Sequence, residues 1–171
     1  MPDDANVAQA TVRLRSAVLC DNVRSEDNGK RLLIGVYDAG VTINVVPMPL
    51  SLTLYGVFEI SGSGGKTVEF KITAPAFAGQ GRVVVPSDAP SDVSAPFLAP
   101  FVCIVEQESD IRLEWKIDGG PWVGEMRWTL ELASAVRRLD SASAEQVRTA
   151  VAASQQSAQQ AQAAQQQEGA Q

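Results

Sequence analysis

From Thr11 to Leu132 the chain alternates apolar and polar residues with a period of two, the spacing of strands that bury one face. In Thr11 to Cys20, Val12, Leu14 and Val18 fall on one side and Arg13 and Arg15 on the other. Asp21 to Gly29 is polar and ends in Asp27-Asn28-Gly29, residues that favour a turn. Lys30 to Tyr37 is a more apolar strand, closed by Asp38-Ala39-Gly40. Val41 to Val46 is a short β-branched run that Pro47 and Pro49 stop. Proline cannot donate to a ladder, so this run is expected at an edge or where the chain crosses between sheets. Leu50 to Ile60 is the longest clean alternation, with Leu50, Leu52, Leu54, Phe58 and Ile60 on one face. Ser61-Gly62-Ser63-Gly64-Gly65 reads as a hairpin loop, and Val68, Phe70 and Ile72 carry the return strand.

Residues 75–100 contain Pro75, Pro86, Pro90, Pro96 and Pro100, and only Arg82 to Val85 reads as a strand among them. The rest is expected to be a long irregular connection, a kind of segment that is uncommon inside a compact domain and often functional. Phe101 to Gln107 is a buried strand. Ile111, Leu113, Trp115 and Ile117 then alternate with polar residues, Asp118-Gly119-Gly120 turns the chain, and Met126, Trp128, Leu130 and Leu132 return, giving a hairpin with matched apolar faces. Short strands separated by turn signals, with no helix between them, predict an all-β fold: a two-sheet antiparallel β-sandwich of about eight strands.

The pattern changes between Val136 and Asp140, and the predicted organisation is a flexible N-terminal arm at 1–10, a sandwich domain at 11–136 and an Ala/Gln-rich tail at 137–171, helical or disordered. Asp140, Ser141 and Ser143 can each cap a helix, and Ser143 with Gln146 forms a capping box. Alanine is the best helix former, but Val147 and Val151 are the only larger apolar residues of 143–167, leaving a weak stripe through 147, 151, 154, 158, 161 and 165. The sandwich should stand without the tail.

Composition then narrows the function. The 171 residues include no histidine, which removes Ser-His-Asp and Cys-His nucleophile systems and imidazole-based zinc sites. Cys20 and Cys103 lie too far apart in sequence for a CxxC pair. The N-terminus is acidic and lacks the apolar core of a signal peptide, and no apolar run is long enough to span a membrane. Free thiols and a cytoplasmic setting, or incorporation into a particle assembled there, are expected. A net charge of −6 disfavours binding to nucleic acid. The Gly-rich Ser61 to Lys66 lacks Walker spacing, since Ile60 stands where the first glycine would be, and no cofactor or small-molecule substrate is indicated.

Ser16 to Tyr37, through Leu19, Cys20, Asp21, Arg24, Asn28, Gly29, Lys30, Leu33, Ile34, Gly35, Val36 and Tyr37, resembles a family of uncharacterised bacterial domains that share an LCD…R…NGK…LIGVY opening. The likeness extends to about Leu132 and implies an all-β fold without an assigned activity. The immunoglobulin pattern does not fit, because every tryptophan follows Cys103.

The leading expectation is a non-enzymatic binding or assembly module, for example a structural component of a phage or other particle, engaging a protein partner or copies of itself. Interaction candidates are Trp122 and Pro121 at a hairpin tip, Asp92 and Phe97 in the 86–100 stretch, and Val147 and Val151 in the tail. One alternative is a carboxylate enzyme around the 86–100 loop, with a pocket that holds at least two of Asp88, Asp92, Glu106 and Glu108. Another is a calcium or lipid-surface module using Asp21, Glu26, Asp27 and Asn28.

Overall fold

A computed structural model of the chain describes residues 11–62, 65–90 and 92–168, with side chains described as far as Ser157. The expected arm at 1–10 lies outside the described residues, as do Ser63 and Gly64 of the hairpin loop, Ser91, and residues 169–171. Nine strands and one helix are described: β1 (Thr11–Ser25), β2 (Arg31–Tyr37), β3 (Gly40–Val46), β4 (Met48–Ser61), β5 (Lys66–Ala74), β6 (Phe77–Val85), β7 (Asp92–Val105), β8 (Ser109–Ile117), β9 (Trp122–Arg138) and α1 (Ser141–Glu168). Sheet A has the order β2-β1-β4-β7 and sheet B the order β3-β9-β8-β5-β6.

The fold is mostly β and sandwich-like. Alternate residues of β4 (Leu50, Leu52, Leu54, Phe58 and Ile60) meet Val68, Phe70 and Ile72 of β5, Ile111 and Leu113 of β8, and Trp128 and Leu130 of β9 in one core. Aromatic rings bridge the sheets: Phe97 of β7 lies 4.5 Å from Phe70 of β5, and Phe58 of β4 lies 6.2 Å from Trp115 of β8. Each fully buried Leu, Ile or Phe contributes roughly 1.5–3 kcal/mol.

The strands differ from the sequence reading in number, length and sense. There are nine, not about eight, and β3 pairs with β9 in parallel rather than antiparallel. β1 continues through the polar Asn22 to Ser25, because these residues pair with Arg31 to Ile34. The long connection expected at 86–100 shrinks to residues 86–91, since Asp92 opens a fourteen-residue strand. Pro96 and Pro100 are tolerated there because β7 is the edge of sheet A. Ile104 N donates to Pro75 O and Val102 O accepts from Gln155, so even-numbered positions of β7 turn their peptide groups outward. The two prolines share that parity and interrupt no bond to β4. β6 likewise starts earlier than expected, at Phe77, with the Phe77 and Phe70 rings lying over Gly79 and Gly81.

β3 leaves sheet B at Val46, and Pro47 delivers the chain to β4 in sheet A, the crossing that the two prolines signalled. After β9, Leu139 N donates to Val46 O and α1 begins. Asp140 is the cap: its carboxylate accepts from Ser143 N at 2.9 Å and from the Ser143 hydroxyl at 3.2 Å. The Ser143 N–H holds the Asp140 carboxyl below its ordinary range. The helix docks through Ala144 and Val151, both buried, and through polar contacts. Arg148 Nε donates to Glu106 at 2.8 Å, and Gln155 Nε2 donates to Ala76 O at 3.0 Å and to Val102 O at 2.9 Å. Among the described residues no helix is long and apolar enough to cross a membrane.

Candidate interaction surface

The outward faces of the two sheets have opposite chemistry. On sheet B, register places Glu69 opposite Lys116 and Lys71 opposite Glu114, and both pairs close, at 3.1 and 2.7 Å. Arg112 and Arg127, also opposite each other, share Asp110, and Arg127 adds Glu125 at 2.8 Å. Asp118, in the β8–β9 turn, accepts from Thr67 N and Lys66 Nζ, which hold its carboxyl below the ordinary range. Exposed ion pairs like these contribute about 0–1 kcal/mol each. Their larger consequence is for docking, since covering them would strip water from charges at a cost a partner must repay.

Sheet A presents the reverse. Its inward side carries Leu19, Leu54 and Phe58, so the intervening residues face out. One outward row runs Val36, Thr53, Pro100 across β2, β4 and β7, with the buried Cys20 of β1 between the first two. The next runs Val18, Tyr55, Leu98, and a third Ser16, Val57, Pro96. These rows contain no charged side chain. Charge returns toward the start of β1, where Arg13 and Arg15 flank Glu59, and at the far end of the β1–β2 arm, where Arg24 lies opposite Leu32. Leu98 is 41% exposed and Val36 48%, and Leu32 and Ile34 continue the apolar column down β2 at 49% and 36%. Beyond Cys20, β1 has β2 as its one strand partner among the described residues, so the β1–β2 end stands clear of β4 as a two-stranded arm. Gly29 closes that arm with a φ of +80°, and Gly29 N donates to Glu26 O.

Asp21 and Tyr37 pin the base of the arm. Tyr37 donates its hydroxyl to Asp21 Oδ1 at 2.7 Å, and that bond, with burial, pushes the phenol up to about 12. Asp21 sits against Gly35, where an added Cβ would run into its carboxylate, and Gly35 has a φ of +66° that favours glycine. Cys20 and Cys103 are free and buried. Burial raises both thiols, Cys103 to about 11, so neither is a ready nucleophile.

The residues singled out from sequence do not converge. Trp122 folds back onto sheet B, its ring 4.8 Å from Lys71 Nζ and 5.4 Å from Lys116 Nζ, with Pro121 exposed beside it at the turn. Asp92 begins β7 opposite Ser61. Phe97 is a core residue, stacked 5.2 Å from Phe58, and presents almost no surface. Val147 is half-buried and Val151 buried against the chain's own body. Asp92 and Glu106 sit at opposite ends of β7, roughly 45 Å apart at ordinary strand rise, so the four carboxylates of the enzyme reading do not share a site. Glu106 instead lines a cleft of about 680 Å³ with Asp110, Arg148, Val151 and Gln155. A second cleft, about 630 Å³, opens between β6 and β7 over Phe77, Phe97 and Phe101. In the acidic loop Asn28 Nδ2 donates to Glu26 and Asn28 Oδ1 accepts from Lys30 N. No group of three potential metal ligands occurs among the described residues.

The sheet A surface was missed from sequence because it is spread over four strands. Val18, Tyr55, Val57 and Leu98 each look like ordinary strand residues until register puts them side by side. No protein-family model matches the chain, and no curated protein matches it.

Proposed function

We propose that the protein is a non-enzymatic assembly module that contacts other proteins, copies of itself first, through the outward face of sheet A and its β2 edge. The carrying observation is the contrast between the two outward faces. Covering the uncharged rows of sheet A gains about 25 cal/mol per Å² of apolar surface, whereas covering sheet B desolvates an ion-pair lattice. Contiguous exposed apolar surface on a folded chain marks interaction sites. Within this class we place a structural component of a phage or other particle, where repeated copies would bring such faces together. We also place the chain with the uncharacterised bacterial all-β domains that its Leu19 to Tyr37 segment resembles, in a cytoplasmic setting supported by two unpaired buried thiols.

The test is light scattering of the full chain across a concentration series. The wild type should gain mass with concentration. Val36→Asp, on the sheet A face, should lower that mass, and Val123→Asp, at least as exposed but on β9, should not. A single-chain mass at every concentration overturns self-assembly.

A further inference from the structure

The two edges of sheet A are finished differently. The β7 edge is sealed by its own chain. Pro96 and Pro100 present no donor, Val102 O is taken by Gln155, and Ile104 N is taken by Pro75 O. The β2 edge has no proline, no covering segment among the described residues, and, after Arg31, no charged side chain from Leu32 to Tyr37. An exposed apolar edge strand is a template for strand addition unless something blocks it.

Resting on the assembly reading above, we propose that β2 pairs with β2 of a second copy, antiparallel about a two-fold axis at Ile34, to join two copies of sheet A into one continuous eight-stranded sheet. Glu26 N donates to Lys30 O, so Lys30, Leu32, Ile34 and Val36 turn their peptide groups toward β1. Arg31, Leu33, Gly35 and Tyr37 therefore turn theirs to the open edge. With Ile34 on the axis, Leu33 meets Gly35 of the second copy and Arg31 meets Tyr37, both as hydrogen-bonded pairs. The side chains at Leu32, Ile34 and Val36 fall in the close, non-hydrogen-bonded pairs, and Lys30 and Asp38, one residue beyond either end of β2, continue the same column where the pairing extends to them. In this register Ile34 faces itself, Leu32 faces Val36, and Lys30 faces Asp38. The column is self-complementary: a cation and an anion bracket three apolar residues. Lys30 and Asp38 take part in none of the ion pairs among the described residues, so both are free for a second copy. Shifting the register by two residues either way sets Lys30 against an apolar residue or a strand end and leaves Asp38 without its cation. Gly35, with its φ of +66°, takes one peptide out of the extended line, so side-chain pairing must supply much of the affinity. A reversible dimer, not a permanent one, is the expected product.

The test reads the register directly. A non-hydrogen-bonded antiparallel pair places its Cα atoms about 4.5 Å apart, inside the range that a disulfide spans, roughly 4.4–6.8 Å. Under mild oxidation Ile34→Cys chains should cross-link to dimers. Leu32→Cys chains alone should not, but mixed with Val36→Cys chains they should. The wild type, whose Cys20 and Cys103 are buried, should remain uncross-linked. Lys30→Glu should weaken dimerisation by about tenfold, since the two-fold repeats each like-charge contact, and Lys30→Glu with Asp38→Lys should recover it to within about threefold. If the wild type dimerises by light scattering but Ile34→Cys does not cross-link, or the charge swap does not recover, the β2 pairing is wrong and the assembly reading survives. If the wild type stays monomeric at every concentration, both fall.

Discussion

Phe97 and Gly56 face each other across β4 and β7, and their coupling can be measured. The Phe97 ring packs 5.2 Å from Phe58 and 4.5 Å from Phe70, and it fills the space that a side chain at position 56 would need. A Cβ at Gly56 would collide with the Phe97 ring, which those two neighbours hold in place. Phe97→Ala should cost about 3–5 kcal/mol as a large-to-small change in a core. Gly56→Ala should cost about 1–3 kcal/mol for overpacking, less about 0.5–1 kcal/mol because alanine has less unfolded-state freedom to lose. With the ring gone, the new methyl occupies vacated space. The double variant should therefore cost about 3–4 kcal/mol, no more than Phe97→Ala alone, a coupling of about 1–3 kcal/mol. Urea denaturation of the four proteins gives the cycle directly. If Gly56→Ala destabilises equally in both backgrounds, to within about 0.5 kcal/mol, Phe97 does not fill the space over Gly56 and its place in the core is wrong.

Three further outcomes follow from named contacts. Gln155→Ala leaves the carbonyls of Ala76 and Val102 without their donor and should loosen the docked part of α1 by about 1–2 kcal/mol, read as faster amide exchange around Val151 with β-sheet amides unchanged. Asp21→Asn replaces the carboxylate that holds Tyr37 protonated with a neutral, weaker acceptor, so the tyrosinate absorbance step near pH 12 should move down toward the ordinary value of about 10. In the wild type the Tyr37 bond stabilises the fold fully below pH about 10 and is lost as pH rises through about 12; alkaline melts should show this loss and Asp21→Asn should lack it. A truncation ending at Leu139 should keep the sheets, because the core between them includes neither Ala144 nor Val151, and near-ultraviolet circular dichroism should retain the signal of Trp115 and Trp128.

The elements that carried a strong local period were legible in sequence. The hairpin of Ile111 to Leu132 and the strand of Leu50 to Ile60 alternate cleanly, and only one face of each can be buried. The 86–100 stretch misled because prolines read as loop unless the strand is known to be an edge, which is a tertiary fact: Pro96 and Pro100 are harmless because, among the described residues, no strand pairs beyond β7. β1 ran further than its apolar residues indicated because Asn22 and Arg24 are held by pairing with Ile34 and Leu32, not by burial. A helix was only one of the two readings that the alanine content of the tail left open, and its docking was not legible at all. Arg148 and Gln155 hold it through polar contacts that hydrophobic periodicity does not register. The sites chosen from sequence favoured conspicuous residues such as Trp122. The candidate surface is instead assembled from unremarkable ones brought together by register.

Sheet A, not sheet B, is the side proposed to associate. Hydrogen exchange of the full chain, compared at dilute and concentrated protein, tests that most directly. Amides turned to the open edge of β2, at Arg31, Leu33 and Tyr37, should slow on concentration, while the exposed backbone of the β8–β9 turn around Gly119 should not change. Protection that develops over sheet B instead, or exchange that is independent of concentration throughout, would contradict the account.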